Sequence, residues 1–322
     1  MSIFACAPTK AILCGEHFVV HGERAISIPC NLKNCVELSK KRGSDTLYIR
    51  GKNGALKLSL DGEAVGSSTL QSLAPIYFEV LKLADIKTHP ALDMVIHYSD
   101  APKGMGNSAS IACAAAKALS KYFRLKLTKN QLFELTQMSE KVSHSNPSGI
   151  DAKTVVEGKA QLFRRGTDCS PPKFKQIYIR LPQSCVFLIV DTSMEKIAQA
   201  KTSRLVHKFT KYLIGNPSEK EIRLTYRKIL RGFLVELRRK KQEPQAIGNL
   251  MNENHKLLRD AGVSSKSIEK AIDVLMAQPG VFGCKLTGAG GMGGAVLALV
   301  KKSRIPDIAV SLSANGFRSF TI

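Results

Sequence analysis

The chain has 322 residues, of which 44% are hydrophobic and 23% charged, a balance typical of one or two folded domains and not of a disordered chain. No apolar run approaches the roughly 18 residues of a membrane-spanning helix, so helical membrane proteins are excluded. Lys and Arg number 48 against 26 Asp and Glu, and the formal net charge of +22 would favour an anionic substrate.

The N-terminal half is predicted to mix strands with helices. Short apolar runs bounded by turn residues predict strands over 3–7, 18–20, 25–29, 35–39, 47–50, 56–60 and 92–98. Apolar residues at helical spacing predict helices over 73–83, 108–122 and 128–142. Thr128 is the expected N-cap of the last of these helices.

The C-terminal half begins after a predicted linker over 169–175, which contains two consecutive prolines. Strands are predicted over 176–181, 186–190, 283–286, 295–300 and 317–321. Helices are predicted over 195–213, 219–239, 245–260, 265–277 and 306–314. Segregated strands and helices in both halves predict an α+β fold with two domains, 1–172 and 173–322.

Eight cysteines are scattered along the chain, and none has the Cys-x-x-Cys or Cys/His spacing of a zinc site. The N-terminus lacks a basic segment followed by an apolar stretch, the pattern of a secretory signal. We therefore expect reduced structural cysteines and a cytoplasmic protein that contacts no membrane.

Much of the positive charge lies over 201–241. This stretch is predicted to be mostly helical and contains thirteen Lys and Arg but only three Glu. A solvated helix face accounts for this pattern better than a nucleic-acid site does. Trp is absent and no zinc-finger or RNA-recognition signature occurs, so we expect no nucleic-acid partner.

The first glycine-rich segment opens the predicted helix 108–122. Its residues are candidates for a phosphate cradle, because glycine lets the backbone approach a ligand and a helix N-terminus attracts anions. Ser108 could also place its hydroxyl on a magnesium ion. A helix cap with a glycine turn is the simpler alternative. The segment, with the lysine before it, is Lys103, Gly104, Met105, Gly106, Asn107, Ser108 and Ala109.

A second glycine-rich segment lies between two predicted strands and includes Gly288, Ala289, Gly290 and Gly291. It contains more glycine than a two-residue hairpin turn requires, and the entropic cost of glycine suggests a ligand-binding use. A flexible hairpin loop is the alternative. Neither segment fits the P-loop or the dinucleotide-binding fingerprint.

Two further stretches carry ionisable groups. Lys10 is followed closely by Glu16 and His17, and Glu140 is followed by the segment 144–151, which ends at Asp151. Taken singly, each could be a surface charge or a satisfied loop residue. Taken together, a lysine, two carboxylates and two phosphate-type loops are the components of a phosphoryl-transfer site.

In this order the segments resemble the three motifs of the GHMP small-molecule kinases. The first resembling stretch is 7–22, with the core Gly-Glu-His-Phe-Val-Val-His-Gly; the others are 104–109 and 285–294. Within that family the sequence is most similar to the members that phosphorylate mevalonate, a similarity that extends to 146–151 and 251–255. Asn107 stands where the family has Ser. The resemblance implies the GHMP kinase fold, with an S5-like N-terminal domain, a ferredoxin-like C-terminal domain and the active site between them.

The resemblance also implies roles for individual residues. Asp151 corresponds to the catalytic base, and Lys10 to the lysine that pairs with it. Ser108 and Glu140 correspond to the magnesium ligands, and residues 103–109 to the ATP triphosphate loop. Glu16, His17 and residues 288–291 correspond to positions around the acceptor substrate.

The implied activity is ATP- and magnesium-dependent phosphorylation of the primary alcohol of mevalonate, in a protein that is expected to be a homodimer. A sister kinase acting on phosphomevalonate is the first alternative, and a diphosphomevalonate decarboxylase a weaker one. A basic binding module on an inactive kinase scaffold is the alternative from another class of protein.

Overall fold

The computed structural model describes residues 2–52, 54–144, 147–166, 171–193 and 202–322. The chain forms two compact units that are interleaved along the sequence. Unit 1 comprises Met1–Lys10, Pro29–Ala101 and Gly106–Gly158, and unit 2 comprises Ala11–Ile28, Pro102–Met105 and Lys159–Ile322. A boundary between residues 172 and 173 of the linear sequence remains our proposal for the two domains.

Two long strands, β1 (Ser2–Cys14) and β2 (Arg24–Ser44), contribute residues to both units. The remaining strands of unit 1 are β3 (Thr46–Gly51), β4 (Gly54–Ser59), β5 (Ala64–Gly66) and β6 (Pro90–His97). They lie in the order β5-β4-β3-β6-β2, and β1 pairs with β2. The β3–β6 pair is parallel, whereas β2–β6, β3–β4 and β4–β5 are antiparallel.

The helices of unit 1 pack in a common core with these strands. They are α1 (Ala74–Leu83), α2 (Asn107–Tyr122), α3 (Lys129–Ser143) and α4 (Ile150–Glu157). Small alanine side chains allow α2 to be buried over most of its surface. Thr128 caps α3 as predicted, and its side chain forms a reciprocal capping box with Gln131.

Unit 2 contains two groups of strands. The first residues of β2 pair with β7 (Gln161–Arg164), which pairs with β8 (Lys173–Gln176). A separate four-stranded antiparallel sheet has the order β10-β11-β9-β12, formed by β9 (Cys185–Asp191), β10 (Val281–Thr287), β11 (Ala295–Lys301) and β12 (Arg318–Thr321).

The helices of unit 2 bury large side chains such as Phe209, Tyr226 and Phe233. They are α5 (Thr202–Leu213), α6 (Glu219–Glu236), α7 (Pro244–Asp260), α8 (Lys266–Met276) and α9 (Ile305–Ala314). Strands and helices in both units confirm the predicted α+β class. None of the described helices is both long and apolar enough to cross a bilayer.

Several predicted elements differ from the observed ones. The strand predicted over 18–20 is a 3-10 helix, Phe18–His21, and the strands over 25–29 and 35–39 are one continuous strand, β2. Helix α4 and strand β7 were missed, because each is too short for its apolar spacing to stand out. The strand predicted over 176–181 lies earlier, as β8. Three predicted features lie partly outside the described residues. They are the motif 144–151 at residues 145–146, the linker at residues 169–170 and the helix 195–213 at residues 195–201.

The expectation that all cysteines are reduced is wrong for one pair. Cys6 in β1 and Cys35 in β2 form a disulfide within unit 1. The pairing of the two strands brings these residues together across 29 positions of sequence. The described free cysteines are all buried, at positions 14, 30, 113, 185 and 284.

Candidate active site

Lys10 and Asp151 form an ion pair in unit 1. The Lys10 Nζ atom lies 3.1 Å from the Asp151 Oδ1 atom. Lys10 is buried near the middle of β1, whereas the Asp151 side chain is 30% exposed in the first turn of α4. The carboxylate can therefore reach a ligand, while the lysine beside it is held in place by the surrounding strand.

The phosphate-type segment reaches this pair at Gly106, the N-cap of α2, whose φ of 68° is left-handed. A Cβ atom at this position would lie 2.9 Å from Lys10 Cγ and 3.6 Å from Asp151 Oδ2. Glycine is therefore required for both the conformation and the close approach. The N-terminus of α2, where the first backbone N–H groups of a helix have no intrahelical acceptor, begins directly beside the ion pair.

Ser108 and Glu140 are also brought together, from α2 and α3. The Ser108 side chain lies close enough to the buried Glu140 carboxyl to influence its protonation. Burial raises the pKa of Glu140 to about 7, the charge of Asp151 adds to the rise, and Ser108 and Lys10 oppose it. Among the described residues, none hydrogen-bonds to the Glu140 Oε1 atom.

This arrangement fits a magnesium ion. Mg²⁺ takes oxygen ligands and typically uses one or two protein groups together with substrate phosphates and water. The orphaned carboxylate oxygen of Glu140 and the Ser108 hydroxyl would supply two such ligands. The described residues contain no cluster of three or more acidic, His or Cys side chains for an all-protein metal site.

Asn107 forms a hydrogen-bond network that the sequence did not predict. Its side chain accepts a hydrogen bond from Asn34 Nδ2 and donates one to the Ala101 carbonyl, each at 3.1 Å. The buried Asn34 also accepts from the backbone N–H of Ser99, at 2.8 Å. Asn107, which stands where the family has Ser, is thus part of a polar clamp that fixes the start of α2.

A cavity of about 210 Å³ in unit 1 includes Ser108 in its wall. Its other lining residues are apolar or uncharged polar side chains: Ser67, Thr69, Leu70, Ser72, Leu73, Ile96, Tyr98, Ile111 and Ser143. An apolar cavity next to a phosphate-type helix start can accept a flat heterocycle. Sequence reasoning missed these residues because they come from four separate segments.

Two predicted site residues of unit 2, Glu16 and His17, are buried. Glu16 forms an ion pair with Lys285 of β10, and both side chains are fully buried. Lys285 Nζ also donates to the Leu286 carbonyl at 2.6 Å. Lys285 was not singled out in the sequence, although a lysine inside an apolar strand was the signal available.

His17 has a positive φ of 60° and hydrogen-bonds through Nε2 to the carbonyl oxygen of Ala289, at 2.9 Å. Its ring stacks on Phe209. Burial lowers the pKa of His17 to about 4, so the ring is neutral at pH 7. With Nε2–H donating to the carbonyl, Nδ1 is left as an acceptor that has no partner among the described residues. A strained residue with such an acceptor is typical of a functional position.

The second glycine-rich segment joins β10 to β11 and uses its glycines for close backbone contact. A Cβ atom at Gly288 would lie 2.8 Å from the Gly104 carbonyl oxygen, and one at Gly290 would lie 2.3 Å from the Val263 carbonyl oxygen. Both glycines have left-handed φ values, as does Gly291. These close backbone contacts favour a loop of defined conformation over the simpler alternative of a flexible hairpin.

The predicted residues thus fall into two sets. Unit 1 brings together Lys10, Gly106, Ser108, Glu140 and Asp151. Unit 2 brings Glu16, His17 and the loop 288–291 together with Gly104. Of the remaining predicted residues, Lys103 is exposed, whereas the side chains of Met105 and Ala109 are buried and leave only their backbone for a ligand.

Comparison with known proteins shows which family the chain belongs to. The models of the GHMP kinase N-terminal domain and the GHMP kinase C-terminal domain match residues 76–159 and 233–317. A mevalonate kinase of Methanocaldococcus jannaschii is 30% identical over 97% of this chain and 96% of its own length. The chain belongs to the GHMP kinases. This GHMP kinase is therefore an ATP-dependent small-molecule kinase, as the sequence motifs predicted.

Solved structures support the same assignment for this GHMP kinase. The crystal structure of the Methanococcus jannaschii mevalonate kinase has a TM-score of 0.80 and 25% identity, and covers 100% of this chain and 97% of that one. The L. major mevalonate kinase in complex with R-mevalonate has a TM-score of 0.81 and 25% identity, covering 99% and 95% of the two chains. A mevalonate kinase of Aeropyrum pernix is 28% identical over 98% of this chain and 94% of its own length.

Proposed function

We propose that this protein transfers the γ-phosphoryl group of ATP to the primary alcohol of mevalonate, giving 5-phosphomevalonate and ADP. The observation that carries the proposal is the Lys10–Asp151 ion pair beside the glycine at the start of α2. The similarity to several mevalonate kinases over nearly the whole chain supports this choice of acceptor.

In the proposed mechanism, Asp151 orients the acceptor hydroxyl and accepts its proton. A positioned base of this kind accelerates proton transfer by roughly 10²- to 10⁴-fold. Lys10, at 3.1 Å from the carboxylate, stabilises its negative charge before transfer and the negative charge of the phosphoryl group during transfer.

The backbone N–H groups at the start of α2 bind the phosphates, and the cavity lined by Tyr98 and Ile111 holds the adenine ring. Ser108 and Glu140 would hold the magnesium ion. When bound, the ion neutralises charge on the phosphate oxygens. Glu16, His17 and residues 288–291 are the proposed acceptor-binding residues, and the Nδ1 atom of His17, which has no partner among the described residues, is suited to accept a hydrogen bond from an alcohol.

The test is release of ADP with ATP and magnesium, measured with mevalonate, with phosphomevalonate and with no acceptor. We expect release that requires mevalonate. Release that requires phosphomevalonate would replace the proposed acceptor, and carbon dioxide release from diphosphomevalonate would replace the proposed reaction. Absence of turnover with every acceptor would contradict the proposal as a whole.

We further propose that the enzyme acts in the cytoplasm as a homodimer that binds neither nucleic acid nor membrane. Light scattering on the purified protein tests the homodimer, since a mass corresponding to two 322-residue chains is expected. A mass corresponding to one chain would contradict it.

A further inference from the structure

A second cavity, of about 360 Å³, lies in unit 2. Its volume is in the range of small-molecule sites, roughly 300 to 1,000 Å³. None of the residues assigned to the candidate active site lines it. Its lining residues are Gly22, Glu23, Arg24, Arg164, Arg227, Leu230 and Arg231, so four of the seven are arginines.

The fold places these arginines as like-charge neighbours. Arg24 of β2 is directly opposite Arg164 of β7 in the antiparallel register. Arg227 and Arg231 are one turn apart on α6, with Leu230 between them on the same side. Like charges at both kinds of position are destabilising. Two such pairs line one cavity, so a negative charge bound there would reduce the repulsion between the arginines.

Glu23 supplies only part of that charge. Its buried carboxylate accepts hydrogen bonds from Arg227, at 2.7 Å from Nη2 and at 3.0 and 3.1 Å from Nε, which donates to both oxygens. It also lies 3.4 Å from Arg223 Nη1. Two guanidinium groups therefore already face one carboxylate. None of the ion pairs formed by the described residues involves Arg24, Arg164 or Arg231.

The chemistry of the remaining arginines selects the kind of occupant. A guanidinium group is planar, stays protonated at all physiological pH values and matches phosphate oxygens with paired N–H donors. Arg164 is held in position, because its Nε atom donates to the Gly22 carbonyl at 3.0 Å. Three such groups around a concave site suit an anion with several oxygens and at least two negative charges.

We propose that this cavity is a second ligand site that binds a small anion carrying a phosphate or diphosphate group. This second site is separate from the residues proposed for phosphoryl transfer. The proposal does not depend on which acceptor the enzyme phosphorylates. Gly22 and Glu23 follow directly on the 3-10 helix Phe18–His21, so the ligand would bind close along the chain to His17. A phosphorylated metabolite is the favoured ligand, because the site is a single small concave cavity of about 360 Å³ and not an extended basic groove.

The test is calorimetric titration of the full-length protein with pyrophosphate in magnesium-free buffer. The double variant Arg164→Gln/Arg231→Gln removes two cavity charges. The control, Lys220→Gln/Lys228→Gln, removes two charges from α6 at positions that do not line the cavity. All these side chains are exposed, so both variants are expected to fold, and thermal midpoints verify this.

Wild type and control should each bind pyrophosphate in the cavity. In the arginine variant this binding should be absent, or its affinity at least tenfold lower. The nucleotide phosphate loop is intact in all three proteins and contributes equally to each titration. Identical titrations of all three proteins would overturn the proposal. Binding of a short single-stranded RNA that needs these arginines, without pyrophosphate binding in the cavity, would also overturn it.

Discussion

Lys10 and Asp151 are 141 positions apart in the sequence, yet the Lys10 Nζ atom lies 3.1 Å from the Asp151 Oδ1 atom. Lys10 is buried and Asp151 is partly exposed, so the pair presents one reactive carboxylate to a ligand. The N-cap glycine of α2 lies against both side chains.

Replacement of the proposed base is the most direct test of the mechanism. Asp151→Asn should lower kcat by roughly 10²- to 10⁴-fold, because a positioned base is lost while the side-chain shape is kept. Steady-state kinetics with mevalonate and ATP measure the effect. Glu157→Gln, on the same helix and in surface ion pairs with Lys129 and Lys153, is the matched control and should leave kcat unchanged. A kcat within threefold of wild type for Asp151→Asn would rule out the base assignment.

The clamp formed by Asn34 and Asn107 is predicted to position the phosphate loop. Asn34→Ala removes the donor to Asn107 and the acceptor for Ser99, and should raise the KM for ATP more than it lowers kcat. A loss of about 1–3 kcal/mol in nucleotide binding is expected from unsatisfied buried groups. Thermal midpoints separate this effect from unfolding. A variant in which kcat falls and the KM for ATP is unchanged would contradict a positioning role.

Glu140 is predicted to couple magnesium binding to pH. Its pKa in the metal-free protein is about 7, so below that pH a proton competes with the metal for the carboxylate. The magnesium concentration for half-maximal activity should therefore fall as pH rises from about 6 to about 8. Glu140→Gln should raise this concentration at least about 10-fold and remove its pH dependence. An unchanged magnesium requirement in Glu140→Gln would exclude Glu140 as a ligand.

His17 is predicted to make stability depend on pH. Its pKa is about 4 in the folded protein against 6.5 for an ordinary histidine, so the unfolded chain binds the proton more tightly. The contribution to stability is complete above pH 6.5 and decreases as pH falls towards 4. At about pH 5 the loss should be about 2 kcal/mol.

Urea unfolding of wild type and of His17→Asn at about pH 7.5 and about pH 5 measures this contribution. Asn is chosen because it tolerates the positive φ of this position. Titrations of the other groups are common to both proteins and cancel in the comparison. Equal losses of stability in the two proteins would show that His17 is not buried in its neutral form.

Elements with strong local signals were predicted well from the sequence. The side chain of Thr128 caps α3, as expected, and the helix predicted from residue 265 is α8, whose N-cap is Ser265. The 3-10 helix Phe18–His21 was mistaken for a strand, because Phe-Val-Val has high strand propensity and the left-handed His17 that redirects the chain leaves no local signal.

The sequence by itself determined the family motifs, and with them the residue types needed for phosphoryl transfer, because glycine loops and closely spaced polar groups are local features. Only the tertiary structure decided which distant groups meet. The Glu16–Lys285 pair, the Asn34–Asn107 clamp and the Arg24–Arg164 neighbours each depend on strand register or helix packing. Buried polar groups must find partners, and a single sequence does not specify which distant partner the fold supplies.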